Sequence, residues 1–149
     1  MKIVAFALGN TIRADDGAGI ALARGLGALV PGLEIIEAAE LTPEHAEAIG
    51  GAGGVLFLDA SVAGKPGEIR ASPVVPRQAR EAILHALTPE EILGLARALH
   101  GSVPPAGLVT VAGREFAFGE GLSAEVEAAL PRAREMARDL ANGFARPRR

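Results

Sequence analysis

The chain contains no cysteine, tryptophan or tyrosine, and aromatic residues make up only 3% of its 149 positions. Without cysteine there is no disulfide, no thiolate nucleophile and no cysteine-based zinc centre. So few rings leave no stacking platform for bases. No apolar run approaches the ~20 residues that cross a bilayer. The opening MKIVAFALGN resembles a signal segment only briefly, because it breaks at Gly9-Asn10 with no small-residue cleavage pattern. Basic charge is also scarce. A net charge of −3 argues against general nucleic-acid binding. The one basic cluster, Arg146, Arg148 and Arg149, lies in a tail from about residue 143 that is expected to fray. These absences lead to the expectation of a cytoplasmic protein without membrane or nucleic-acid partners. Nothing in the sequence demands a dimer, so a monomer is expected.

Apolar residues, by contrast, make up 49% of the chain, enough for one buried core in a single domain over residues 1–149. Residues 2–8 read as a strand buried on both faces, and the polar loop Gly9 to Asp16 follows. The pattern then predicts a helix from about Gly17 to Val30, stopped by Pro31-Gly32, and a second strand at 33–38. Thr42-Pro43 reads as a helix start, with the hydroxyl as N-cap and proline at the first helical position. A third buried strand at 55–58 ends at Asp59, and an edge strand at 68–75 is marked by Pro73 and Pro76. Thr88-Pro89-Glu90-Glu91 has capping-box spacing before a helix. A fifth strand is expected at 107–112, and Ser123 caps a last helix running to about Ala141. Strands alternating with helices predict an α/β fold, a three-layer α/β/α domain around a mainly parallel sheet. In such a sheet ligands bind beyond the carboxyl ends of the strands, where Gly9-Asn10 and Asp59 fall.

The segment from Gly9 to Gly19 carries the most chemistry. It lacks both the G-x-G-x-x-G fingerprint and the Gly-Lys-Ser/Thr ending of a P-loop, and adjacent Asp15 and Asp16 would repel a pyrophosphate. Asp15 could cap the following helix, but two neighbouring acids exceed what capping needs. Asp59 is either a loop anchor or a ligand carboxylate. Among the histidines, His45 and His100 read as surface residues, whereas His85 sits just before a capped helix. Two carboxylates and an imidazole suit a divalent ion such as nickel or zinc. No local metal spacing is present, so such a site must be assembled from distant segments. A serine triad is disfavoured, since Ser61, Ser72, Ser102 and Ser123 lack a G-x-S-x-G elbow.

The first loop, Gly9-Asn10-Thr11-Ile12-Arg13-Ala14-Asp15-Asp16-Gly17-Ala18-Gly19, resembles the opening signature of the hydrogenase maturation endopeptidases. The resemblance continues through Asp59-Ala60, His85 before a Leu/Ala-rich helix, Gly101 with Pro104-Pro105, and Gly121-Leu122-Ser123 before the last helix. It implies a twisted, mostly parallel five-stranded sheet and an enzyme that removes a C-terminal peptide from the large-subunit precursor of a nickel–iron hydrogenase. The implied metal contacts, which are also the implied catalytic residues, are Asp16, Asp59 and His85, with Asp15 as possible support. Gly9, Asn10, Gly17 and Gly19 are the implied substrate loop. Nickel would be carried by the substrate rather than held permanently. The sequence departs from the family in having Asp16 where a longer Glu can stand, Ala38 to Pro43 where a Gly-Thr pair is frequent, and Leu84 at an often polar place. The competing expectation is a non-catalytic nickel-sensing assembly factor, or a small α/β module with another ligand.

Overall fold

A computed structural model describes residues 1–78 and 86–145. Five strands form one sheet: β1 (Ile3–Leu8), β2 (Leu33–Ala38), β3 (Gly54–Ser61), β4 (Ile69–Val74) and β5 (Ala106–Ala112), in the order β2-β1-β3-β5-β4. All neighbouring pairs are parallel except β4, which runs antiparallel to β5 at the edge. The helices are α1 (Ala18–Ala23), α2 (His45–Ile49), α3 (Pro89–His100) and α4 (Ala124–Phe144).

Alternation along the strands divides the core between two faces. Val4, Phe6, Leu8, Val55 and Phe57 pack with α2 and α3. Ile3, Ala5, Ala7, Leu56 and Leu58 pack with α1 and α4. The rings of Phe6 and Phe57 stack with centroids 5.6 Å apart. β1 and β3 are buried on both faces, which explains their unbroken apolar sequences. The expected three-layer α/β/α architecture with a mostly parallel five-stranded sheet is what the chain forms.

Two helical expectations need correction. The helix after the first loop ends at Ala23 rather than near Val30: Arg24 turns extended and Gly25 takes φ +84°, a conformation open to glycine. A short 3₁₀ turn over Leu26–Ala28 then carries the fully buried Leu26 back into the core. Thr42 does not cap α2, which starts at His45 after Glu44. Its N–H instead donates to His45 Nδ1 at 2.9 Å and its hydroxyl to Glu44 Oε1 at 3.0 Å. The other two caps form as read. Thr88 and Glu91 make the reciprocal capping box of α3, and the Ser123 hydroxyl accepts the Val126 N–H at the start of α4. That last helix continues to Phe144, whose ring covers Gly54 at the foot of β3.

Candidate functional site

The chain leaves β1 for α1 and β2 on one side, while β3 pairs on the other side of β1. This reversal opens a crevice at the carboxyl ends of β1 and β3, the place where open α/β sheets bind ligands. Ala7 pairs with Leu58, so Asp59 stands level with Leu8 and next to the Gly9 turn. Both acid-bearing segments therefore reach one rim.

Three glycines set how closely the rim packs. Gly9 has φ +128°, and a Cβ there would collide with the backbone carbonyl of Asp16. A Cβ on Gly17 would lie 3.1 Å from Thr11 Cα. A Cβ on Gly19 would strike the carbonyl oxygens of both Leu58 and Leu8. The start of α1 thus lies directly over the two strand ends. Gly17 and Gly19, read from the sequence as substrate-loop residues, take part in this close packing.

Asp16 is half-buried, and its Oδ2 accepts the Asn10 N–H at 2.9 Å. The Asn10 side chain in turn accepts the Ile12 N–H at 3.1 Å, which tightens the loop. Asp59 is also half-buried, and its Oδ1 accepts the N–H of Ala60 at 2.8 Å. Burial raises the pKa of Asp59 to about 6. The Ala60 N–H opposes that rise, while the negative charge of Asp16 adds to it. Among the described residues no basic side chain forms an ion pair with either acid.

Asp15 is different. It is fully buried, and its carboxylate accepts three backbone N–H groups: Arg114 at 2.7 Å, Glu115 at 3.0 Å and Ser123 at 2.7 Å. Burial by itself would raise its pKa, but the Ser123, Glu115 and Arg114 N–H groups outweigh it and hold the carboxyl below its ordinary range. The backbone continues the attachment. Asp15 N–H donates to Glu115 O at 2.8 Å, Ala14 N–H to Gly119 O at 2.8 Å, and Gly119 N–H to Ile12 O at 2.8 Å. Arg13 and Gly119 form a parallel bridge. The segment 113–123 is thus a second loop of the rim; the sequence marked only its end, Gly121-Leu122-Ser123, and did not join it to Asp15. The one visible signal was a doubled acid larger than capping requires.

His85 lies outside the described residues. The other histidines are engaged elsewhere. His45 Nδ1 accepts the Thr42 N–H, and its ring meets Phe6 edge-on with centroids 5.5 Å apart. His100 Nε2 lies 3.1 Å from Ala46 O, at the end of α3 remote from the rim. Among the described residues no three His, Asp or Glu side chains lie close enough to hold a metal ion. The donor types on the rim nevertheless suit a hard or borderline divalent ion: two carboxylates, one raised chiefly by burial and further by the other's charge, are an arrangement a cation relieves. Among the described residues no helix is long and apolar enough to cross a membrane.

No family model and no curated protein matches the chain. Solved structures do. The [NiFe] hydrogenase maturation protease HybD from Thermococcus kodakarensis is 26% identical, over 95% of this chain and 99% of that one, with a TM-score of 0.70. The hydrogenase maturating endopeptidase HybD from E. coli is 23% identical, over 91% and 88%, with a TM-score of 0.68. An endopeptidase from Escherichia coli solved in solution is 20% identical, over 97% and 94%, with a TM-score of 0.74. The last two likenesses speak for the fold. The first extends over practically the whole of both chains and agrees with the Asp-Asp-Gly loop. Fold and first loop together make the chain similar to these peptidases. The likeness to the hydrogenase maturation protease from Thermococcus kodakarensis is the one that the first loop implied.

Proposed function

We propose that this protein is the endopeptidase that removes the C-terminal extension from the nickel-loaded large-subunit precursor of a nickel–iron hydrogenase, acting as a cytoplasmic monomer. The observation that carries the reading is the acid pair. Asp16 and Asp59, from segments far apart in sequence, share the crevice, and the charge of Asp16 adds to the raised pKa of Asp59. A divalent ion brought by the precursor relieves that repulsion and draws Asp59 into its ionised form, so recognition of nickel and loss of a proton go together. A precursor without nickel leaves the two acids opposed and binds poorly. Nickel is here part of the substrate, and zinc substitutes for it in vitro on the same donor chemistry.

His85 is assigned as the third contact by the resemblance of its segment. Water is activated either by the ion or by one of the carboxylates as general base. A protein substrate is favoured by the apolar side of the rim. Ile12 and Phe118, each next to a partner of the Arg13–Gly119 bridge, are 43% and 85% exposed.

The deciding experiment incubates the purified protein with nickel-loaded large-subunit precursor and weighs the product. Loss of one defined C-terminal peptide, absent when nickel is withheld, is expected. Nickel-dependent association without any mass change would replace the protease with a nickel-sensing assembly factor.

A further inference from the structure

We propose that Asp15 is a positioning residue: by clamping the segment 113–123 onto the first loop, it sets where the Asp16 carboxylate lies in the crevice. The inference deepens the function proposed above and rests on it for its kinetic test. Asp15 and Asp16 share a peptide bond, so whatever fixes one restrains the other. Asp16 is held only within its own loop: its Oδ2 accepts the Asn10 N–H and its N–H donates to Arg13 O at 3.1 Å. Asp15 is held on every side. One oxygen takes the N–H groups of Arg114 and Glu115, the other takes that of Ser123 at the start of α4, and its own N–H donates to Glu115 O.

Two further features show the clamp under tension. Ala14, immediately before Asp15, has φ +50°, a left-handed conformation uncommon for a residue with a side chain. Such a conformation persists only where its surroundings enforce it, and the Ala14 N–H is tied to Gly119 O. Opposite the clamp, Gly113 leaves no spare room: a Cβ there would sit 2.7 Å from Asp15 Cβ and 2.6 Å from the Phe116 ring. The second loop is fitted against Asp15 atom by atom, with sequence separations of 99, 100 and 108 residues across the three bonds.

Three variants test the role. Asp15→Asn keeps the shape but places an N–H₂ among N–H donors. Gly113→Ala pushes on Asp15 without altering any charge, and it decides the matter if Asp15→Asn fails to fold. Ile3→Ala, at the opposite end of β1, lowers stability without touching the rim. With nickel-loaded precursor, Asp15→Asn and Gly113→Ala are expected to lower kcat on the order of 100-fold, the scale of a misplacement near 1 Å, with KM little changed. Ile3→Ala is expected to keep its kcat. Amide exchange at Asn10, whose N–H rests on Asp16, reads the placement of Asp16 directly and needs no substrate. It is expected to quicken in the first two variants and not in Ile3→Ala. Wild-type kcat in folded Asp15→Asn and Gly113→Ala, or an equal kcat loss in Ile3→Ala, overturns the assignment. If the wild-type protein cleaves nothing, the proposed function falls, and Asn10 exchange alone then decides this inference: unchanged protection overturns it.

Discussion

Asp15 and Asp59 are the same amino acid on the same rim, and their surroundings drive them in opposite directions. Asp15 is completely enclosed yet stays ionised, because three backbone N–H groups point at it. Asp59 retains some exposure yet its pKa is raised to about 6, because one N–H does not offset burial and the charge of Asp16. Burial therefore does not decide whether a carboxylate is a structural anchor or a reactive group. The number of donors around it does. One side of the rim is saturated with hydrogen bonds and stiff, whereas the other holds unrelieved charge that a cation can satisfy.

The largest expected effects come from removing the unrelieved side. Asp16→Asn, Asp59→Asn and His85→Ala should each reduce processing of nickel-loaded precursor to background while circular dichroism remains that of the folded protein. Full activity in any of them would withdraw that residue from the site. On the saturated side, Asp15→Asn should lower the unfolding free energy on the order of 3 kcal/mol, since buried donors lose a charged acceptor. Chemical denaturation at neutral pH measures it. That loss should fade as the pH falls below the ordinary carboxylate range, because the stability a depressed pKa confers is lost as the folded carboxyl takes up its proton.

Asp59→Asn should do the reverse to the free protein and stabilise it on the order of 1–2 kcal/mol at neutral pH, while abolishing activity. The cost of ionising Asp59 is present above its folded pKa of about 6 and shrinks as the pH falls from there to the ordinary value of 3.8. The gain in the variant should shrink over the same window. A destabilised Asp59→Asn protein would show that the group is an anchor like Asp15, and the contrast between them would collapse. The smallest effect is expected at Phe118→Ser, which removes an exposed apolar contact and should raise KM for the precursor a few-fold with kcat unchanged.

Much of this architecture could be read from the sequence because its signals are local. The uninterrupted apolar segments of β1 and β3, the Thr88 capping box and the Ser123 cap each lie within a few residues, and the place of Gly9 just past β1 follows from them; β3 was read as ending at Asp59 but runs on to Ser61, so that Asp59 lies inside it. The departures are where a local pattern met a longer-range demand. The apolar residues from Gly17 to Val30 have helical spacing, but Gly25 breaks the helix so that Leu26 can dock separately. Thr42 had a cap's identity, yet its N–H and hydroxyl were taken by His45 and Glu44. The antiparallel direction of β4 has no signature within its own six residues. The attachment of segment 113–123 to Asp15 was the least legible, since backbone N–H groups carry no residue identity and these lie about a hundred positions away.

Gly19 has a consequence that reaches beyond packing. Its missing side chain lets one helical turn rest on the carbonyl oxygens of Leu8, the last residue of β1, and of Leu58, the residue before Asp59. A single methyl there would work as a wedge driven between the two sides of the crevice, prising Asp16 from Asp59 without altering any charged atom. The spacing on which the proposed cation recognition depends is thus gauged by an amino acid that has nothing of its own to offer a ligand.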